Sequence, residues 1–361
     1  MSFAKPVNLT HEQVNAFEHE VDAIKASVMN HLGQADVDHM RRMIRLCRAS
    51  EIGGRALLHL GLGPISWVTG VLALASAKIL DNMEIGHNVM HGQYDWTGDP
   101  TLSSQKFEWD IACDGEQWRH SHNVVHHTYT NILGKDRDLG YSLLRLTNEQ
   151  RWKPRHALQP VANLMLALGF QYGVGSHDLE IGRYKHGAVP KDIFKARLNR
   201  FLSKTGRQWF KDYLLFPALA MWSAPRVLAG NFCANLIRNL WTYVVIFCGH
   251  FTEGVAIYRE EDTRNESRGD WYIRQISGSS NLEGGRWFHI MTGHLSHQIE
   301  HHLFPDMPAH RYPEVAPQIQ TLCQRYGLRY NTGSLWRQYA TVMKRILTHT
   351  LPPRRNAALA G

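Results

Sequence analysis

The chain has 361 residues, enough for two average soluble domains or for one membrane-embedded domain with a cap. A mean hydropathy of -0.34 excludes a chain lying mostly inside a bilayer. The net charge of +8 suits anionic lipid or acidic partners, since no interleaved basic and aromatic pattern of RNA binding accompanies it, and five scattered cysteines (Cys47, Cys113, Cys233, Cys248, Cys323) without a C-x-x-C exclude a disulfide framework and a zinc ribbon.

Residues 1–50 read as a solvated helical region. Thr10 is placed as an N-cap with Gln13 in the capping-box position. No basic start followed by an apolar run occurs here, so no cleavable signal peptide is expected. The arginines Arg41, Arg42, Arg45, Arg48 and Arg55 precede the first apolar segment, where cytoplasmic charge belongs under the positive-inside rule.

Residues 56–80 are apolar over a length that allows one bilayer crossing or a tight hairpin turning near Gly61 to Pro64. A polar module follows, and then a second apolar stretch, 156–175. Basic residues flank that stretch on both sides, which predicts an interfacial or re-entrant segment. Lys185 to Lys211 reads as a basic amphipathic loop. The apolar stretches 213–229 and 232–251, joined at Gly230-Asn231, predict a transmembrane hairpin in which Pro217 and Pro225 kink or end a helix. Arg238 inside it should face the bundle interior and find a partner. The fold class expected is all-α integral membrane, with two transmembrane helical hairpins and a cytoplasmic helical cap. An even number of crossings before residue 252 puts all polar modules on one side.

Histidine marks those modules. His87 and His91 form H-x-x-x-H; His120, His122, His126 and His127 fall within eight positions; His297, His301 and His302 form H-x-x-x-H-H. Neutral imidazole is the commonest metal ligand among side chains, and residues i and i+4 of a helix share a face. An adjacent second histidine points about 100° away. The tandem pairs His126/His127 and His301/His302 therefore suit two neighbouring ions. One such pair is weak evidence; three clusters in one chain point to a dimetal site.

The order H-x-x-x-H, then W-x-x-x-H-x-x-x-H-H-x-x-T-N, then Q-I-E-H-H-L-F-P resembles the three histidine boxes of integral-membrane fatty acid desaturases. The phrases around Ile79 to Gly92 and Gly134 to Tyr141 resemble bacterial stearoyl-CoA-type Δ9 acyl desaturases. The resemblance implies a desaturase domain over 51–320, followed by a cytoplasmic C-terminal tail, 321–361. It implies His87, His91, His122, His126, His127, His301 and His302 as ligands of two iron ions, with His250 the isolated ligand between boxes two and three. For the last position His297 and Gln298 both stand. His297 is preferred because it would share a helix face with His301. His120 and His294 are read as supporting residues, His289 and His310 as structural. Asp136, Asp138 and Asn131 either orient ligand imidazoles or cap local helices.

Hydrogen removal from an unactivated methylene needs an oxidant that side chains do not supply and that a metal with O2 does. Soluble diiron proteins use paired E-x-x-H motifs. Only one, Glu84 to His87, occurs here. The expected activity is O2-dependent insertion of a cis double bond into a long saturated acyl chain, with Δ9 of an acyl-CoA such as stearoyl-CoA foremost. An acyl-chain hydroxylase of the same superfamily is the alternative, and a membrane metal transporter, whose ligands belong at the bilayer midplane, is the remote one. With no haem module, dinucleotide fingerprint or cysteine cluster, electrons are expected from an external ferredoxin or flavin reductase.

Overall fold

A computed structural model describes Phe3 and residues 9–353, and it is mostly helical. The first helix, α1 (His11–Met29), starts as its capping box requires: Gln13 N donates to Thr10 Oγ1 and Thr10 N to Gln13 Oε1. Next, α2 (Gln34–Leu60) ends on Gly61 in the left-handed region, and Pro64 starts α3 (Pro64–Ile79). The turn at Gly61 to Gly63 makes these an antiparallel pair. A Cβ on Gly54 would come within 2.7 Å of the Leu74 nitrogen, so the pair packs backbone against backbone. Helix α3 continues through a π-helical stretch, Leu80–His87, to Met90.

The second histidine cluster sits on α4, which begins at Gly115–Trp118 and continues through π-helical Arg119–His126 into His127–Tyr129. Helices α5 (Gln159–Leu168) and α6 (Phe170–Asp178) follow, with Val161, Leu164, Met165 and Leu168 facing outward. The basic segment expected as a loop is instead a helix, α7 (Lys191–Trp209), with Arg197 paired to Glu180 and Lys204 to Glu108, and Lys211 just beyond it paired to Asp110. It runs on through π-helical Phe210–Leu215 into Phe216–Leu219.

The turn of the second helical pair is not at Gly230-Asn231. It lies at Ala220 to Ser223, with Met221 at φ 50°, and α8 (Ala224–His250) then runs unbroken. Gly230 and Asn231 resemble a turn in sequence, yet both serve packing. A Cβ at Gly230 would meet the Leu58 side chain at 2.7 Å, and Asn231 donates to the Asp212 carbonyl at 2.6 Å.

Two helices, Pro64–Met90 and Met221–His250, are long and apolar enough to cross a membrane. Asp212 is a fully buried carboxylate packed against them. It accepts from Lys78 of α3 at 2.7 Å, Arg55 of α2 at 3.4 Å and Asn235 of α8 at 3.0 Å, so all four long helices meet on it. The remaining elements close over the C-terminal ends of α3 and α8. Among them are α9 (Arg268–Ser277), α10 (Gln298–Leu303), α11 (Tyr312–Arg325), α12 (Leu335–Thr348) and a short parallel pair, Asn281–Glu283 with Thr332–Ser334. Phe17 and Val21 of α1 share a core with Ile299 and Leu303 of α10 and with Ile319 and Leu322 of α11. Val342 and Ile346 of α12 pack on Tyr243 and Phe247 of α8.

Candidate metal centre

Helices α3 and α4 are π-helical where they carry histidine. One extra residue in a turn re-aims the side chains that follow, and such turns recur at functional sites. His87 closes the first π stretch and His122 and His126 lie in the second. His250 is the last residue of α8, and His301 and His302 lie on α10. Seven of these histidines fall into two groups. His87, His91, His122 and His301 bring ligand nitrogens within 4.8 Å of one another, and so do His126, His250 and His302. The tandem pair His301/His302 is thus split between groups, as the 100° step requires. His127 stands between them, its ring 4.8 Å from His301 and 4.4 Å from His302.

The chemistry of the donors fits metal. Nε2 of His91, His122, His126 and His301, both ring nitrogens of His127 and Nδ1 of His250 are buried without a hydrogen-bond partner. Orphaned buried nitrogens are costly unless something absent from the protein atoms accepts their lone pairs. The opposite ring nitrogens are held. His126 Nδ1 lies 3.1 Å from Asp136, His302 Nδ1 donates to Gln275 Oε1 at 3.0 Å, His87 Nδ1 to Asn88 Oδ1 at 3.1 Å, and His301 Nδ1 is 3.4 Å from the Tyr312 hydroxyl. Asp138 lies 3.7 Å from His122 and 3.8 Å from His126. Fixing Nδ1 leaves Nε2 for an ion, the arrangement by which outer partners orient metal-binding imidazoles.

Burial holds His127, His301 and His302 well below the ordinary imidazole range, and neighbouring histidines add to it, so they are neutral with lone pairs available. His126 moves the other way. Burial pushes it down, but Asp136 outweighs that and raises it. Asp138 is held well below the usual carboxylate range; burial opposes this, and His122 and His177 overcome it.

His297 is not brought into either group. It precedes α10 at φ -106°, ψ 57°, so the i, i+4 relation to His301 does not exist, and its ring lies 4.6 Å from His289 instead. Gln298 reaches the centre, its Nε2 2.9 Å from His250 Nε2 and its Oε1 unpartnered. His120 is exposed. His294 bonds Glu84 at 2.9 Å, Glu84 meets His39 at 3.1 Å, and His310 stacks on His39 and pairs with Asp36 at 2.9 Å. Of the three residues read as orienting or capping, Asp136 and Asp138 face imidazoles. Asn131 instead ties α4 to the end of α9 through the carbonyls of Ala256 and Gly278. Gln275, Tyr312 and Asn88 carry no sequence signal that marks them as imidazole partners; they become partners only through folding.

Beside the histidines lies a partly open cavity of about 70 Å³. It is walled by Trp109, Trp118, Phe170 and Ile246 and reaches down α8 to Arg238.

The fatty acid desaturase family profile matches residues 64–334. The chain belongs to the fatty acid desaturase family. It is 44% identical over 351 residues, 96% of this chain and 82% of the other, to the NADPH-dependent stearoyl-CoA 9-desaturase of Mycobacterium tuberculosis (strain ATCC 25618 / H37Rv). It is 25% identical over 273 residues, 72% and 74% of the two chains, to the sn-1 linoleoyl-lipid 6-desaturase of Synechocystis sp. (strain ATCC 27184 / PCC 6803 / Kazusa). This desaturase is an oxidoreductase that introduces unsaturation into acyl chains. Its histidine groups stand where both candidate membrane helices end, rather than at their middles.

Proposed function

We propose that this desaturase forms a cis double bond between C9 and C10 of a long saturated acyl chain, with stearoyl-CoA as substrate. The observation that carries the reading is the pair of imidazole groups, with orphaned buried nitrogens, at the wall of a cavity whose lining area is mostly apolar. His87, His91, His122 and His301 would hold one iron, and His126, His250 and His302 the other, with Gln298 beside the second and His127 between the two. Two irons with O2 supply the oxidising power that C–H removal needs.

The protein's own residues do the rest. Asp136, Asp138, Gln275 and Asn88 fix the tautomers by holding Nδ1. The aromatic walls bind the hydrocarbon and exclude water, which the small, mostly apolar lining favours. The balance is one acyl chain, one O2, two electrons and two protons in, one alkene and two waters out. The electrons come from an outside reductase or ferredoxin, and the relative's NADPH dependence supports such a donor. The histidine groups are placed on the cytoplasmic side of a multi-pass inner-membrane protein, where acyl-CoA and reductant are found.

The test is the fatty acid profile of cells lacking desaturation, with and without this chain and its His126→Ala variant. New Δ9 monounsaturated acids that vanish in the variant are expected. A profile unchanged although the iron-loaded protein is in the membrane would overturn the reading.

A further inference from the structure

Arg238 lies on α8 twelve residues before His250, about 18 Å along the axis at ~1.5 Å per residue. It is 1% exposed and lines the same cavity as His122, His126 and His250. Its Nε donates to Asn239 at 3.1 Å and its Nη2 to Asn235 at 3.3 Å, while Nη1 has no partner among the described residues. It has no ion pair there either, because Asp212, the nearby buried carboxylate, is occupied by Lys78, Arg55 and Asn235. Asn82 and Thr242, bonded to each other at 3.3 Å, make the same end of the cavity polar.

A hydrocarbon site thus runs from the histidines to a buried guanidinium that makes no ion pair among the described residues. We infer that Arg238 is the inner end of the acyl site and limits acyl-chain length by charge; the inference rests on the cavity being that site. A methyl end pressed against Nη1 would displace the water its free N–H needs and offer no acceptor in return. The chain therefore stops short, and methylenes beyond that point gain no burial. Each buried methylene is worth ~0.8 kcal/mol, about fourfold, so one two-carbon step withheld corresponds to about fifteenfold.

The experiment uses iron-loaded holoenzyme with saturated acyl-CoAs in two-carbon steps on both sides of stearoyl-CoA. It compares wild type with Arg238→Met, Arg238→Gln and Arg238→Lys. Arg238→Met should raise turnover of the first chain beyond the wild-type limit, relative to stearoyl, by about fifteenfold. Arg238→Gln, which keeps a hydrogen bond to Asn235, should shift the limit the same way by less. Arg238→Lys keeps the charge and should keep the limit. An unchanged limit in Met and Gln variants of normal iron content overturns the inference. So does a Lys variant that shifts as far as Met, which would assign the limit to shape.

Wild type alone gives a second reading that does not depend on variant folding. A terminal hydroxyl on the first excluded chain should bind the free N–H and improve its competition against stearoyl-CoA about tenfold; no preference for it overturns the inference. Wild type that desaturates no stearoyl carrier would overturn the proposed function instead.

Discussion

At the C-terminal ends of α3 and α8 lie His87 and His250 amid imidazoles whose nitrogens have no protein partner. Nine residues before His87 and fifteen before His250, the same helices carry Lys78 and Asn235, both bonded to Asp212. Both clusters are largely buried and polar. At Asp212 the carboxylate accepts from Lys78, Arg55 and Asn235, so the helices are held. At the histidines the polar groups are held on one side and left open on the other, so the centre is built to be completed by ions. Stability and chemistry occupy opposite ends of one helical core, and substitutions separate them.

The largest effect is expected from His126→Ala, which removes a nitrogen from the second group. Iron per folded molecule falls, measured by metal analysis, and product falls below detection by gas chromatography. Asp212→Ala breaks the other end. It leaves Lys78 and Arg55 without their shared counter-charge and costs about 3–5 kcal/mol in thermal or denaturant unfolding, while iron per folded molecule is retained. Asp136→Asn should weaken iron binding about 10–100-fold, read by competition with a chelator, because it loosens His126 without removing it.

Acid sharpens the comparison further. Burial pushes His310 down to about 4 against the pull of Asp36, whereas an unfolded imidazole titrates near 6.5. Below pH ~6.5 the unfolded chain therefore binds protons that the folded chain does not. Stability is whole above that pH and is lost progressively towards pH 4, as thermal unfolding of metal-free protein should record. The smallest effect is expected from His297→Ala. Its ring faces His289, outside both groups, so iron content and product yield should match wild type.

Much of this was legible in the chain itself. The spacing of His87, His91, His122, His126, His127, His301 and His302 points to the histidine clusters that the fold assembles, because ligand type and helical angle are local properties. The capping box at Thr10 and the turn near Gly61 are local as well. What folding alone decided depends on contacts between distant segments. Gly230 and Asn231 read as a turn, yet their small size and amide serve Leu58 and Asp212 across the core. Helical spacing favours His297 over Gln298, yet the start of α10 puts His297 outside both groups and Gln298 at His250. Gln275 and Tyr312 became imidazole partners through packing, and Arg238 became the end of a cavity. Sequence periodicity reports which face a residue shares with its neighbours; only the tertiary structure decides what stands opposite that face.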